Sequence, residues 1–229
     1  MATKPDIIGK ALSQGRSVLS EYESKQFLRA YGIPVTREME VESRKDLYDA
    51  IKTIGYPLVL KGSSPHVAHK SEQGLVKVDI RNDGEAEAAF EEIMSAMGEG
   101  QKAVLVQEMV KGSRELMVGM TRDPQFGPCV MFGLGGIFTE VLKDVAFRVA
   151  PLEKRDVMEM AQEIRARRIL DAVRGMPAAD MDQLTKIIIR VGEIGIENDS
   201  IKEIDINPLI LSGGNPVAVD ALIVLMPRA

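Results

Sequence analysis

Four clusters of polar side chains have residue types and spacings that suit chemistry. Lys61 closes the apolar run Pro57-Leu-Val-Leu60. An ammonium there is either a solvated strand end or a point charge for a polyphosphate. His66 and His69, the only two histidines, share the loop Gly62-Ser-Ser-Pro-His66-Val-Ala-His69-Lys70. A zinc site needs further Cys or His ligands, and the lone cysteine, Cys129, does not supply them. An unprotonated imidazole has a lone pair that can attack phosphorus, and Lys70 can stabilise phosphoryl oxygens. The plain alternative is a surface-loop histidine. The third cluster is Glu203-Ile-Asp205-Ile-Asn207-Pro-Leu209, with Asp220 beyond a turn. On a strand, 203, 205 and 207 share one face while Ile204 and Ile206 face the core. Such a row of oxygen acceptors suits Mg²⁺, although an ordinary hairpin with a polar face reads the same way. The fourth is Val106-Gln-Glu108-Met109-Val110, a strand end whose backbone groups can meet an adenine edge. Glu115, just beyond, can accept from ribose hydroxyls. Arg148 is either a phosphate contact or a surface ion pair.

Several nucleotide-binding signatures are missing. No Gly-x-x-x-x-Gly-Lys-Ser/Thr occurs, and no Gly-x-Ser-x-Gly. Gly133-Leu-Gly135-Gly136 is followed by strand-like residues, where a dinucleotide fold would open a helix. The net charge of -5 and an aromatic content of 4% with no Trp argue against a nucleic-acid binder. No apolar run approaches signal-peptide or membrane-spanning length, so the expectation is a cytoplasmic chain without a membrane partner.

Elements must hold these clusters in place. Ser20-Glu-Tyr-Glu23 is a capping box opening a helix that Gly32 and Pro34 end. Ser43 caps a second helix, which stops at Gly55. Strands are expected at 57–61, at 75–80 with Val76 and Val78 on one face, and at 103–110. Between the last two, 85–97 is helical. Beyond 110, strands are expected at 115–120, 129–132 and 138–149, with Asp123-Pro124 and Gly133–Gly136 as turns. Helices follow at 153–167, 168–174 and 181–194, then strands 201–206 and 217–219 around the turn Ser212-Gly-Gly-Asn215. The first nineteen residues are weakly patterned. The pattern is α+β in two lobes, residues 29–109 and 110–229, with residues 1–28 packing on them.

Tyr56-Pro-Leu-Val-Leu-Lys61, His69-Lys-Ser71, Val106-Gln-Glu-Met-Val110, Phe132-Gly-Leu-Gly-Gly-Ile-Phe138 and Asp205-Ile-Asn-Pro-Leu209 occur in that order. So ordered, the sequence resembles the ATP-grasp β subunit of ADP-forming acetyl-CoA synthetase (acetate–CoA ligase), itself similar to the nucleotide-binding part of succinyl-CoA synthetase. The resemblance implies an ATP-grasp fold with the nucleotide between two α+β lobes. It implies a reversible reaction in which acyl-CoA, ADP and phosphate give the acid, CoA and ATP. It also implies a separate CoA-binding α subunit, in an α2β2 assembly, where a first histidine is phosphorylated. The phosphoryl group then passes to a histidine directly before Lys-Ser/Thr, which selects His69, and from it to ADP. By the same resemblance Lys61 meets the nucleotide phosphates, Glu108, Met109 and Val110 lie in the adenine hinge, and Asn207 and Asp220 bind Mg²⁺. Asp205 matches the acidic residue that faces the incoming histidine. One departure is Leu75 where the family pattern has glycine, and a second is Glu72 for aspartate; a tighter loop would restrict the swing of His69. The competing readings are an ATP-grasp carboxylate ligase without phosphohistidine and a non-catalytic nucleotide-sensing subunit.

Overall fold

The structure, a computed structural model, describes residues 6–63, 74–97, 102–136 and 144–226. They form two compact units. The smaller is Thr36–Met109; the larger joins the residues up to Val35 to those from Val110 onward. Among the described residues no helix is long and apolar enough to cross a membrane.

The smaller unit is one antiparallel sheet of order β1-β4-β2-β3, from β1 (Glu38–Val41), β2 (Leu58–Ser63), β3 (Val76–Ile80) and β4 (Ala103–Glu108). Helices α3 (Arg44–Ile54) and α4 (Asp83–Ala96) pack on it. Local chemistry sets both helix starts. The Ser43 hydroxyl accepts from the Asp46 N–H, and the Asn82 side chain accepts from the Glu85 N–H. Leu47, Ala50, Ile51 and Ile54 of α3 meet Leu58, Leu60, Val104 and Val106 of the sheet in one apolar core. In β3 the expected alternation fails. Asp79 has φ 58°, a left-handed conformation that interrupts the pleat, and Val78 is 64% exposed.

The larger unit holds an antiparallel sheet of order β10-β8-β5-β6-β7, with β9 paired to β8. Its strands are β5 (Glu115–Asp123), β6 (Gly127–Leu134), β7 (Val145–Val149), β8 (Ile201–Ser212), β9 (Asn215–Ala218) and β10 (Ala221–Leu225). Helices α1 (Ile7–Ser13), α2 (Glu21–Ala30), α5 (Lys154–Glu163) and α6 (Met181–Glu197) belong to the same unit. The Ser20–Glu23 capping box is present at α2. Leu28 and Ile33 lie in this unit's core, Pro34 accepts from the Ala218 N–H, and Val35 bridges Ala218. Those contacts tie 29–35 to the larger unit, whereas the sequence grouped them with the smaller lobe. The expected Ser212–Asn215 turn is a two-residue hairpin with both glycines at positive φ.

Two expected helices are shorter than read. The Asp144 carboxylate accepts from the N–H groups of Arg165 and Ala166, at 2.7 and 2.8 Å, and turns the chain away after α5. Of 168–174 only the tail of a 3₁₀ turn, Arg167–Leu170, is helical. Buried Arg114 takes the carbonyls of Ile169, Asp171 and Pro177 there, at 3.0, 3.0 and 2.6 Å, which a continuous helix would keep for itself. Of the strand expected at 138–149, residues 137–143 lie outside the described residues.

One face of the large sheet is the core. Val118, Met120, Val130, Phe132, Ile204 and Ile206 are fully buried beneath Leu184, Ile188 and Val191 of α6. Along β7, Ala146 is buried on this face while Phe147 and Val149, of opposite parity, are 50% and 47% exposed. Phe132→Ala is therefore expected to cost about 3–5 kcal/mol in urea unfolding, and Phe147→Ala under about 1 kcal/mol.

Candidate functional site

Strand β8 builds the first half of the site by alternation. Ile204 and Ile206 are fully buried, so Glu203, Asp205 and Asn207 are forced to the opposite face, half-buried. The register sets Asp205 between Leu222 of β10 and Gly119 of β5. Asp220 joins from the turn into β10, where its carbonyl accepts from the Asn207 N–H at 3.3 Å. Oδ1 of Asp205 is buried with no hydrogen-bond partner among the described residues. Burial, then the charges of Glu203 and Asp220, push the Asp205 carboxyl up to about 6.

A second arm comes from the end of β6. Gly135 donates to the Glu115 carbonyl at 2.9 Å, and Gly136 donates to Oδ1 of Asn207 at 2.8 Å. Gly135 has no room for a side chain against the backbone, and Gly136 has a positive φ that strains any other residue. A Cβ on Gly135 would lie 2.3 Å from the Leu116 carbonyl oxygen, and one on Gly136, at φ 59°, would lie 1.9 Å from Oε2 of Glu115. The glycine segment, expected as a turn, thus ends a strand and carries a backbone N–H to Asn207. Gly136 joins the candidate site as a backbone donor; the sequence reading quoted it within Gly133–Gly136 but gave it no role of its own.

The structure brings Asp205, Asn207, Asp220 and Glu115 together within the larger unit, but it does not bring Arg148 to them. Arg148 lies in register with Val130, Met120 and Ile204, so it points to the helix-covered face rather than the face of Asp205. There it is bonded to Glu163 and lies 3.6 Å from Glu159, both on α5. Three strand spacings, about 14 Å, also separate β7 from β8.

In the smaller unit Lys61 is 6% exposed, in register with Leu105 of β4 and Val76 of β3. Glu40 of β1 sits opposite Leu105 from the other side and accepts from the Ser63 hydroxyl at 2.5 Å. Glu108 has its carboxylate on Arg37, at 2.8 Å to the N–H and 2.7 Å to Nε, and the Met109 N–H donates to the Pro57 carbonyl at 3.0 Å. Among the described residues the Val110 N–H has no such partner. Leu75, the departure from the family pattern, is buried in this unit's core, and its carbonyl accepts from the Gly62 N–H at 2.8 Å. His66 and His69 lie outside the described residues.

The donors, Asn207 on β8 and Asp220 just before β10, are both oxygen, one amide and one carboxylate beside the orphaned Asp205. Among the described residues no group of three or more His, Cys, Asp or Glu side chains could hold a metal unaided. That set fits a hard cation such as Mg²⁺, which takes few protein oxygens and completes its shell with phosphate and water. The raised Asp205 pKa also has a thermodynamic consequence in the metal-free chain. A carboxyl whose folded pKa exceeds its unfolded value weakens the fold as pH rises, from no penalty near pH 3 to a full one above about pH 7. Asp205→Asn is therefore expected to stabilise the metal-free chain above pH 7 by on the order of 2 kcal/mol, with no gain near pH 3, in urea titrations across pH.

Residues 10–225 match the family model described as an ATP-grasp domain. The chain is 44% identical over 230 residues to the acetate–CoA ligase (ADP-forming) I subunit beta of Pyrococcus furiosus, covering 98% of this chain and 99% of that one. Among solved structures it resembles the acetyl-coenzyme A synthetase 1 of Ca. Korarchaeum cryptofilum in complex with coenzyme A and Ca-AMPCP. The TM-score is 0.91 at 43% identity, covering 96% of this chain and 99% of that one. A second structure of that synthetase, with coenzyme A and Mg-AMPPCP, has its phosphohistidine segment pointing towards the nucleotide site. It matches with a TM-score of 0.87 at 42% identity, covering 98% and 100%. With a family model over most of its length and a relative matched end to end, the chain belongs to the ATP-grasp family, among the β subunits of ADP-forming acetate–CoA ligases.

Proposed function

We infer that the chain is the nucleotide-binding subunit of an ADP-forming acyl-CoA synthetase and works with a separate CoA-binding α subunit. Acyl-CoA, ADP and phosphate are converted reversibly to acid, CoA and ATP through a phosphohistidine. The observation that carries this reading is the end-to-end match with a β subunit of that activity. The order of the sequence motifs supports it, as does the cluster of oxygen donors on β8 and just before β10.

The chain's own chemistry is a phosphoryl relay. An imidazole nitrogen of His69 attacks the phosphorus presented by the α subunit. A P–N bond forms as the donor's bond breaks, and the donor leaves with the electron pair. A β-phosphate oxygen of ADP then attacks the same phosphorus, the P–N bond breaks, and the ring recovers its pair. Asp205 faces the ring's second N–H and fixes its orientation. The orphaned oxygen of Asp205 supports that role, because an arriving N–H would give it the partner it lacks. Lys61 lies against the nucleotide phosphates, and Glu108, Met109 and Val110 serve the adenine edge. The unpaired Val110 N–H supports the last point, while the Glu108 side chain is held by Arg37 and leaves the backbone as the reader. Glu115 accepts from the ribose. Asn207 and Asp220 hold Mg²⁺, which when bound neutralises charge on the phosphoryl oxygens. Arg148 has no part in this arrangement, since it braces α5 from the other face. The assembly expected is α2β2, and the compartment the cytoplasm.

Leu75 does not crowd the relay. Its side chain is buried in the smaller unit's core, so the bulk that replaces the family glycine is taken up there.

Incubation of the chain with [γ-³²P]ATP and Mg²⁺ is expected to give a base-stable, acid-labile label. His69→Ala is expected to abolish the label and net ATP synthesis with the α subunit, while ADP affinity stays within about threefold. Absence of label from the wild-type chain would favour a carboxylate ligase without phosphohistidine. Full partner activity with the His69 variant would favour a sensing subunit.

A further inference from the structure

Lys25 of α2 is fully buried and paired to Glu21, one turn earlier, at 2.8 Å. Side-chain exposures of 0% and 2% make this an ion pair held away from water. Such pairs add little stability, because desolvating both charges offsets their attraction, and apolar residues of similar volume often serve as well. The geometry gives this one another task. Nζ of Lys25 donates to the Val219 carbonyl at 3.1 Å, across 194 positions of sequence.

Val219 lies in the short crossover from β9 to β10, immediately before Asp220. Three backbone hydrogen bonds pin the same crossover. Ala218 N–H donates to Pro34 at 2.9 Å, Val219 N–H donates to Pro208 at 3.0 Å, and Asn207 N–H donates to Asp220 at 3.3 Å. The Lys25 bond adds a side-chain anchor on the carbonyl of the Val219–Asp220 peptide itself. That peptide is planar, so the direction of its C=O fixes the direction in which the Asp220 Cα departs. Standard bond lengths put Nζ of Lys25 no more than about 6 Å from that Cα.

We propose that Lys25, held in place by Glu21, is a positioning residue for Asp220. By fixing the Val219–Asp220 peptide it makes the Asp220 carboxylate and the Asn207 amide oxygen converge on one divalent cation. The pair thus couples α2, near the start of the chain, to the cation donors near its end. This inference rests on the reading of Asn207 and Asp220 as cation donors, and the test separates the two.

Mn²⁺ binding to the full chain in the presence of ADP, read by electron paramagnetic resonance, measures cation affinity without turnover. Lys25→Met combined with Glu21→Gln removes both charges at similar volume and leaves neither one buried alone. The double variant is expected to stay folded and to lose about tenfold to a hundredfold in Mn²⁺ affinity, the range typical of groups that orient a ligand. Ser20→Ala weakens the cap of α2 without touching Lys25, and is expected to lower the melting temperature while leaving Mn²⁺ affinity unchanged. Asp220→Asn reports on the underlying reading. If it loses Mn²⁺ and the folded double variant does not, the positioning role is overturned and the donor reading stands. If Asp220→Asn binds Mn²⁺ like the wild type, the donor reading falls and takes the positioning role with it. Should the double variant fail to fold, Lys25→Arg keeps the charge and the Glu21 pair but moves the donor. Weaker Mn²⁺ binding by that variant supports the proposal, and wild-type binding overturns it.

Discussion

One strand face of the larger unit gathers carboxylates, with Glu203 and Asp205 on β8 and Asp220 close enough to raise the pKa of Asp205. Two residues apart on one strand face, Glu203 and Asp205 stand about 7 Å from each other, worth about 2 kcal/mol of repulsion at an effective dielectric near 20. The Asp205 carboxyl is pushed up by burial and then by two carboxylates, Glu203 and Asp220. Cations are nonetheless close by in the fold. Arg114 donates to three backbone carbonyls, Arg122 to those of Gly195, Asn198 and Ile201, and Lys25 to that of Val219. Each of these cations holds backbone in place, and Lys25 is paired with Glu21 as well.

The second constraint is close approach of backbone. Asn207 can be oriented by a Gly136 N–H only because β6 ends directly over Glu115 and Leu116, where a methyl group at Gly135 would collide with backbone and Gly136 has a positive φ. A side-chain amide fixed by a main-chain donor loses little further freedom when its oxygen is recruited by a ligand, since that oxygen still has a second lone pair. The rigidity of the sheet is thereby passed to the site without a long, flexible side chain between them.

How much of this was readable in the sequence follows from the same physics. The Ser20–Glu23 capping box, the Ser43 cap, the β8 alternation and the Ser212–Asn215 hairpin are local, and local rules found them. Short elements escaped. β1 has four residues and α1 seven, and β10 follows a site residue with no turn glycine before it. Non-local contacts decided the rest. Asp144 ends α5 from twenty-one residues away, and Val35 is claimed by Ala218, so neither boundary has a signature in its own segment. Of the candidate residues, Asp205, Asn207 and Asp220 were grouped in the sequence by strand parity and one turn, and the structure groups them the same way. Arg148 was misleading because its chemistry suits a phosphate, whereas parity across three register pairs turns it towards α5. The two histidines stood out by rarity, and His69 also by the Lys70-Ser71 that follows it.

Charge also decides in what form a nucleotide can come to such a face. A bare diphosphate brings further negative charge to a face that already carries Glu203, Asp205 and Asp220. A cation alone meets one carboxylate and one amide at Asp220 and Asn207, too few oxygens to replace a hydration shell. The two problems cancel when they arrive together, because phosphate oxygens supply the missing ligands and the cation offsets the missing charge. On the proposed assignment the species this site recognises is accordingly the cation–nucleotide complex rather than either component. An imidazole brought to that complex completes the arrangement, since its N–H is the donor that the orphaned Asp205 oxygen lacks.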